Sequence, residues 1–300
     1  MNSQHRLSDD TTPTLNTEDT FPLVSSGETF HVGDGFEAQA FRNAHFAGNM
    51  DPLVMVDHYW MSKPTFGAHP HAGMSAVSVI FEDSEGLFHN RDSLGNDFDI
   101  KPGDLYWLKA GSGAIHDESP RAGANIHGLQ IFVNLPNALR NSTPASLHVK
   151  AQDMPILEAA GFRVRVVLGE SNGIRGHQSP ALPLTILDGQ MAANSAFSHQ
   201  LNKGENTWIH AIKGTTKIVA KGKQVDLVAG QAVAIPQLAA EASADIQLFN
   251  EGSEKAHFAL FAGQPTQEPY VQKGPFIMAT NGDVAQAEAD FAAGKFGQLV

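Results

Sequence analysis

From about Phe21 onward the chain is a succession of short apolar or alternating runs separated by Gly, Pro, Asn and Asp. MSAVSVIFE (74–82), DLYWLKA (104–110), GLQIFVNLP (128–136), FRVRVVLGE (162–170), NTWIHAIKG (206–214) and HFALFAGQP (257–265) are representative. Each is strand-length, rich in Val, Ile and aromatics, and bounded by turn residues. Many short strands with few helices predict an all-β sandwich or barrel. Helical text is sparse. PNALRNS (136–142) reads as a turn and AQDMPILEAAG (151–161) as a short helix. NGDVAQAEADFAAGKFG (281–297) reads as a fuller one, with Val284, Ala287 and Phe291 at helical spacing, Asn281 or Asp283 as cap, and Gly294 or Gly297 as stop.

A weak internal echo divides the chain. Ile100–His116 and Leu227–Ser243 share one plan of apolar, Gly-containing and alternating positions, so two copies of a β unit would fill the length. The expected organisation is an N-terminal extension over 1–20, a first β domain over 21–150 and a second over 151–300 that carries the C-terminal helix.

Composition narrows the partners. Lys and Arg number 20 against 32 Asp and Glu, a net charge of −12, and the basic residues are scattered. Such a chain repels phosphate backbones and anionic lipid, so direct nucleic-acid binding is not expected. There is no cysteine, which removes disulfides, thiolate ligands and thiol nucleophiles. No apolar run is long enough to span a membrane and no secretory leader is legible, so a cytoplasmic protein is expected.

The candidate chemistry lies in HPHAG (69–73) and AIHDESP (114–120). On a strand, residues i and i+2 share a face, so His69 and His71 project together, as do His116 and Glu118. Three imidazoles and one carboxylate favour Fe(II), Mn(II), Ni(II), Cu(II) or Zn(II) over Ca(II) or Mg(II), and on an octahedral ion they leave two positions for O₂ or a chelating substrate. With 14 histidines in the chain, spacing alone leaves these pairs equally open to an accidental reading. His58 and His89 are expected in packing or hydrogen-bonded roles, Gln130 either facing the first cavity or as a structural amide, and Trp60 and Trp107 in the core or rim. No ligand role is expected for His199, His210 or His257.

The series DPLVMVDHYW, HPHAGMSAVSVIFE, RDSLGN, KPGDLYWLKAGSGAIHDESP, GLQIFVNLP and GQPTQEPYVQKGPFIMAT resembles, in order, the motifs of the pirin family of bicupins. The resemblance implies two cupin (double-stranded β-helix) barrels in tandem with short accessory helices. The first would hold one metal, usually iron as Fe(II), with Mn, Ni, Cu and Zn as alternatives, through His69, His71, His116 and Glu118. The second would be degenerate, with no metal set. It also implies a quercetin 2,3-dioxygenase-like activity on a flavonol or related hydroxy-ketone and O₂, with Glu118 both ligand and catalytic base. The alternative it carries is a non-catalytic, iron-dependent regulator acting through protein partners. Two positions depart from the family pattern: Ala72 stands where an arginine is common, and Asn90 where many members carry histidine.

Overall fold

The structure, a computed structural model, describes residues 22–236 and 244–299. The expected extension over 1–20 and the end of the second echo copy lie outside them.

The fold is all-β, two cupin barrels in tandem, and each barrel pairs a seven-stranded with a four-stranded antiparallel sheet. In the first, the large sheet runs Ala145–Val149, Leu105–Lys109, Met74–Ile80, Ile126–Asn134, Leu53–Met61, Phe36–Arg42, Glu28–Val32. Its small sheet runs His69–His71, Ala114–Pro120, Phe88–Asp92, Asp97–Ile100. The second barrel repeats this order. Its small sheet is Ser195–Leu201, Ala244–Asn250, Thr215–Ala220, Lys223–Val228, and the strands Leu105–Lys109 and Ala232–Ile235 of the two echo copies occupy equivalent places.

The chain ends cross the expected division at 150/151. Leu23–Ser25 pairs with Ala232–Ile235 and forms the edge of the second barrel's large sheet, the place that Ala145–Val149 takes in the first. At the other end, Ala72 bridges to Phe276, and Phe276, Met278, Val284, Ala287 and Phe296 bury against Ala72 in the first barrel.

One apolar cluster joins the barrels, with Val77, Trp107 and Leu129 on one side and Ile186, Trp208 and Phe261 on the other. Phe41 meets Trp208 edge-on at 5.5 Å between centroids. Inside the second barrel, Phe197, Leu201, Ile218, Leu227, Ile246 and Leu248 pack together into a core of their own.

The helical expectations are corrected in two places. AQDMPILEAAG forms one 3₁₀ turn, Ala151–Asp153, and then the strand Ile156–Ala159. Pro155 lacks a backbone N–H and disfavours helical backbone in Met154, which stops the turn there. The C-terminal helix spans Asn281–Ala292, but its cap is Thr280. Thr280 Oγ1 accepts from the Asp283 N–H at 3.1 Å while Asp283 Oδ2 accepts from the Thr280 N–H at 3.1 Å, a reciprocal box.

Candidate metal centre

The strand pairing brings the two motifs together. His69–His71 runs antiparallel to Ala114–Pro120 with His116 directly opposite His69 and Ala114 opposite His71. His71 Nε2 lies 3.0 Å from His116 Nε2, which lies 3.0 Å from His69 Nε2. The ligand atoms of all three lie within 4.8 Å of one another. Nitrogens about 2.1 Å from a common ion are about 3.0 Å apart along the edge of an octahedron and about 3.4 Å apart in a tetrahedron.

The far sides of two of the rings, His69 and His71, support the same tautomer. His69 Nδ1 donates to the Gly67 carbonyl at 2.8 Å, and His71 Nδ1 faces the Pro275 carbonyl at 3.4 Å, leaving the Nε2 lone pairs directed inward. Burial lowers the pKa of all three histidines, that of His71 to about 3. The rings are therefore neutral near pH 7, the form that ligates.

Glu118 shares the cavity but not the cluster. Its Oε2 accepts from the Ser78 hydroxyl at 2.7 Å, and the carboxylate lies outside the group of three. Oε1 is buried without a partner, as is His116 Nδ1. Burial pushes the Glu118 pKa up to about 7, against the pull of the Ser78 hydrogen bond. A ring of inward lone pairs beside an unpartnered carboxylate oxygen is the donor set that a borderline divalent ion satisfies.

These groups open on a cavity of about 430 Å³ whose apolar walls include Phe36, Met55, Met61, Phe66, Phe88 and Phe132. Its floor follows from strand alternation: Met55, Asp57, Tyr59 and Met61 of Leu53–Met61 all line it. Ser78, Gln130 and Asp57 stand in register across three neighbouring strands, a polar row beginning at the Glu118 contact. The row ends where Arg42 Nη1 donates to Asp57 Oδ1 at 2.6 Å. Burial raises the Asp57 carboxyl pKa in spite of Arg42. Gln272, Gly274 and Pro275 close one side, so the C-terminal segment is part of the wall.

Sequence reading missed Ser78, Tyr59 and the Arg42–Asp57 pair. The alternation in Leu53–Met61 was the available signal, but nearly every residue of that strand is buried, so neither face stands out as polar. Gln130 lines the cavity. His58 points to the opposite side, toward the second barrel, where it contacts His210. His89 pairs with Asp97 at 2.8 Å, Trp107 is buried between the barrels and Trp60 lies at the rim. Ala72 is fully buried and its carbonyl accepts from the Ile277 N–H at 3.0 Å, so the C-terminal segment occupies the space a longer side chain would need. Asn90 is buried directly opposite Glu118 in the strand register.

Two family models match the chain, Pirin over residues 14–133 and the Pirin C-terminal cupin domain over 186–297. The chain belongs to the pirin family. Among curated relatives of this family, mouse Pirin is 33% identical over 250 residues, covering 83% of this chain and 84% of its own. A crystal structure named quercetin 2,3-dioxygenase from Acinetobacter baumannii is 26% identical, with a TM-score of 0.77 over 91% of this chain and 96% of its own. A bacterial pirin from Escherichia coli, solved in complex with nickel(II), shares the fold at 19% identity and a TM-score of 0.58, covering 80% of this chain and 96% of its own. Pirins thus include relatives named for quercetin dioxygenase activity, and this chain carries a three-histidine cluster at the cupin site. Among the described residues no helix is long and apolar enough to cross a membrane.

Proposed function

We propose that the first barrel, 21–150, is a mononuclear metal-dependent dioxygenase site acting on a flavonol of the quercetin type or a related hydroxy-ketone, with O₂ as co-substrate. The observation that carries this reading is the convergence of three neutral Nε2 atoms on the edge of a mostly apolar cavity of about 430 Å³. That volume falls in the range of small-molecule sites.

His69, His71 and His116 would hold the ion, with Glu118 as the fourth ligand and Fe(II) as the metal, ahead of Mn, Ni, Cu and Zn. When bound, the metal supplies Lewis acidity and open coordination positions for substrate and O₂. The protein does the rest. Phe36, Phe66, Phe88 and Phe132 line the space for a flat apolar body and exclude water. Glu118 is the group placed to take a hydroxyl proton at Oε1, the oxygen left free when Ser78 holds Oε2. The second barrel, 151–300, has an apolar interior and contributes support and the cavity wall at 272–275.

The test is a comparison of wild type with Glu118→Gln after Fe(II) loading. Wild type is expected to bind quercetin anaerobically with a change in the flavonol absorption band and to consume O₂ on aeration. Glu118→Gln is expected to keep most of the flavonol binding and lose turnover by 10²-fold or more, the usual scale of a general base. Bound metal with neither flavonol binding nor O₂ uptake in wild type would reject this reading in favour of an iron-dependent regulatory protein.

A further inference from the structure

Among the described residues two histidine clusters stand out, and they use their nitrogens differently. At the cavity, Nε2 atoms face Nε2 atoms and the Nδ1 atoms turn away. Between the barrels His58 uses both nitrogens: Nε2 lies 2.8 Å from His127 Nε2, and Nδ1 lies 3.0 Å from His210 Nε2. His127 Nδ1 ends on Asp83 Oδ1 at 2.8 Å, and His210 Nδ1 ends on the Gln231 carbonyl at 3.0 Å. This is a line and not a ring, with no shared point for an ion.

The line has four contacts, and each needs one hydrogen. Both ends are pure acceptors, a carboxylate and a carbonyl, so both terminal Nδ1 atoms must carry hydrogen. The two inner contacts need one each. Three neutral imidazoles carry three hydrogens between them, one short of four. We infer that His127, His58 and His210 form a buried proton-binding site that holds one proton beyond the neutral rings and joins the two barrels through it.

The surroundings locate the charge on His127. Asp83 is 64% exposed, so the counter-charge stays hydrated while its oxygen reaches the ring. Trp60 stacks on His127 with centroids 4.6 Å apart and planes 9° apart, a face suited to an imidazolium. His58 and His210 have no carboxylate partner and are nearly or fully buried, and burial lowers both. For His127 burial lowers the pKa more than the charge and hydrogen bond of Asp83 raise it, so the extra proton rests on the hydrogen count of the line, and Asp83 fixes which ring carries it. The remaining titratable neighbours are His257 and Asp188, reached across Phe81, which meets His127 and His257 edge-on at 4.8 and 4.9 Å. His257 bonds to Asp188 at 2.5 Å, and Arg165 neutralises that carboxylate, so the pair adds little net charge.

Without the extra proton, one contact sets lone pair against lone pair. His58 to His210 is the one bond of the line that crosses between barrels, from Leu53–Met61 to Asn206–Lys213. His58 also sits between Asp57 and Tyr59, which line the cavity on the other side of the same strand. The proton therefore stabilises the barrel interface at the strand that floors the site. A proton held more tightly in the folded chain than in the unfolded one contributes stability that is full below the ordinary histidine pKa. That contribution is lost as pH rises through the folded value.

The test is ¹⁵N-histidine NMR of the full chain from pH 5 to 9, with the three rings assigned by single His→Gln variants. The expected result is an imidazolium signature on His127 at pH 7, neutral His58 and His210, and a single joint titration above pH 7. Asp83→Asn, at an exposed carboxylate, should shift that titration down by about one pH unit or more. His58→Leu removes both inner contacts and should leave His127 neutral at pH 7 and flatten the loss of thermal stability between pH 7 and 9. Should His58→Leu fail to fold, Asp83→Asn carries the same measurement. Three neutral rings at pH 7 in wild type, or three independent titrations, would overturn the inference.

Discussion

The buried ion pair that fastens the second barrel to the first gives the sharpest stability prediction. Arg165 is 1% exposed, and its Nε and Nη2 donate to Asp188 Oδ2 at 3.0 and 2.5 Å. Its Nη1 donates to the Gly103 carbonyl of the first barrel at 2.6 Å. His257 Nε2 completes the carboxylate at 2.5 Å from Oδ1. Burial alone would raise the Asp188 pKa, but Arg165 and His257 together hold it below the ordinary carboxylate range. Asp188→Asn keeps the shape and removes the charge, leaving a buried guanidinium whose remaining carboxylate, the partly exposed Glu82, stands 3.7 Å from Nε. Breaking one side of a buried pair costs about 3–5 kcal/mol. At roughly 2–4 °C per kcal/mol for chains of this order of size, 4 kcal/mol lowers Tm by about 8–16 °C. Far-UV circular dichroism on heating, with urea titration at pH 7.5, reads both quantities. Replacing the pair together, Arg165→Met with Asp188→Leu, should recover most of the loss, because the penalty belongs to the unpaired charge and not to the missing bond. A Tm within 2 °C of wild type for Asp188→Asn alone would refute this account of the interface.

Three further outcomes are expected. His71→Ala and His116→Ala should each lower metal content several-fold by elemental analysis while circular dichroism stays that of a folded barrel, since packing and not metal holds a chain of this size. His199 is buried against the Ser171 hydroxyl and its pKa falls from 6.5 to about 4. The unfolded chain therefore takes this proton first, and stability is full above pH 6.5 and falls by about 3 kcal/mol toward pH 4; urea midpoints of His199→Gln should lack that share of the acid slope. Gly73→Ala should loosen the C-terminal segment, because Gly73 has φ +75° and a Cβ there would lie 1.9 Å from the Ile277 carbonyl oxygen. Faster proteolysis after residue 265 and weaker flavonol binding would show it.

Much of the fold is written locally. Strand-length runs separated by turn residues predict the all-β class, and the repeated plan of Ile100–His116 and Leu227–Ser243 anticipates two similar barrels. His69 and His71 are legible as a pair because alternation alone puts them on one face. What brings His116 opposite His69 is strand pairing across the barrel, which no local pattern encodes. The same holds for Leu23–Ser25: three residues with no distinguishing pattern become the edge of the distant barrel only because Ala232–Ile235 offers them hydrogen bonds. His58 is hydrogen-bonded as expected, but the side it faces was unreadable for a different reason. Its strand is covered by the cavity residues on one side and the second barrel on the other, so periodicity carries no sign of which side a residue faces. Glu118 shares its face with His116 as alternation predicts, yet the Ser78 hydroxyl holds its carboxylate apart from the three rings, and that contact is tertiary. In AQDMPILEAAG, the expected short helix was prevented by one proline.

The proposed role of His69, His71 and His116 is to hold one catalytic transition metal beside the apolar cavity. Its most direct test is metal analysis of protein purified without added metal, combined with O₂ consumption on quercetin after reconstitution with Fe(II), Mn(II), Ni(II) and Cu(II). Close to one metal per chain is expected, with O₂ uptake that depends on the ion supplied and vanishes in His116→Ala. Absence of bound metal under every reconstitution condition, or O₂ uptake unchanged in His116→Ala, would contradict it.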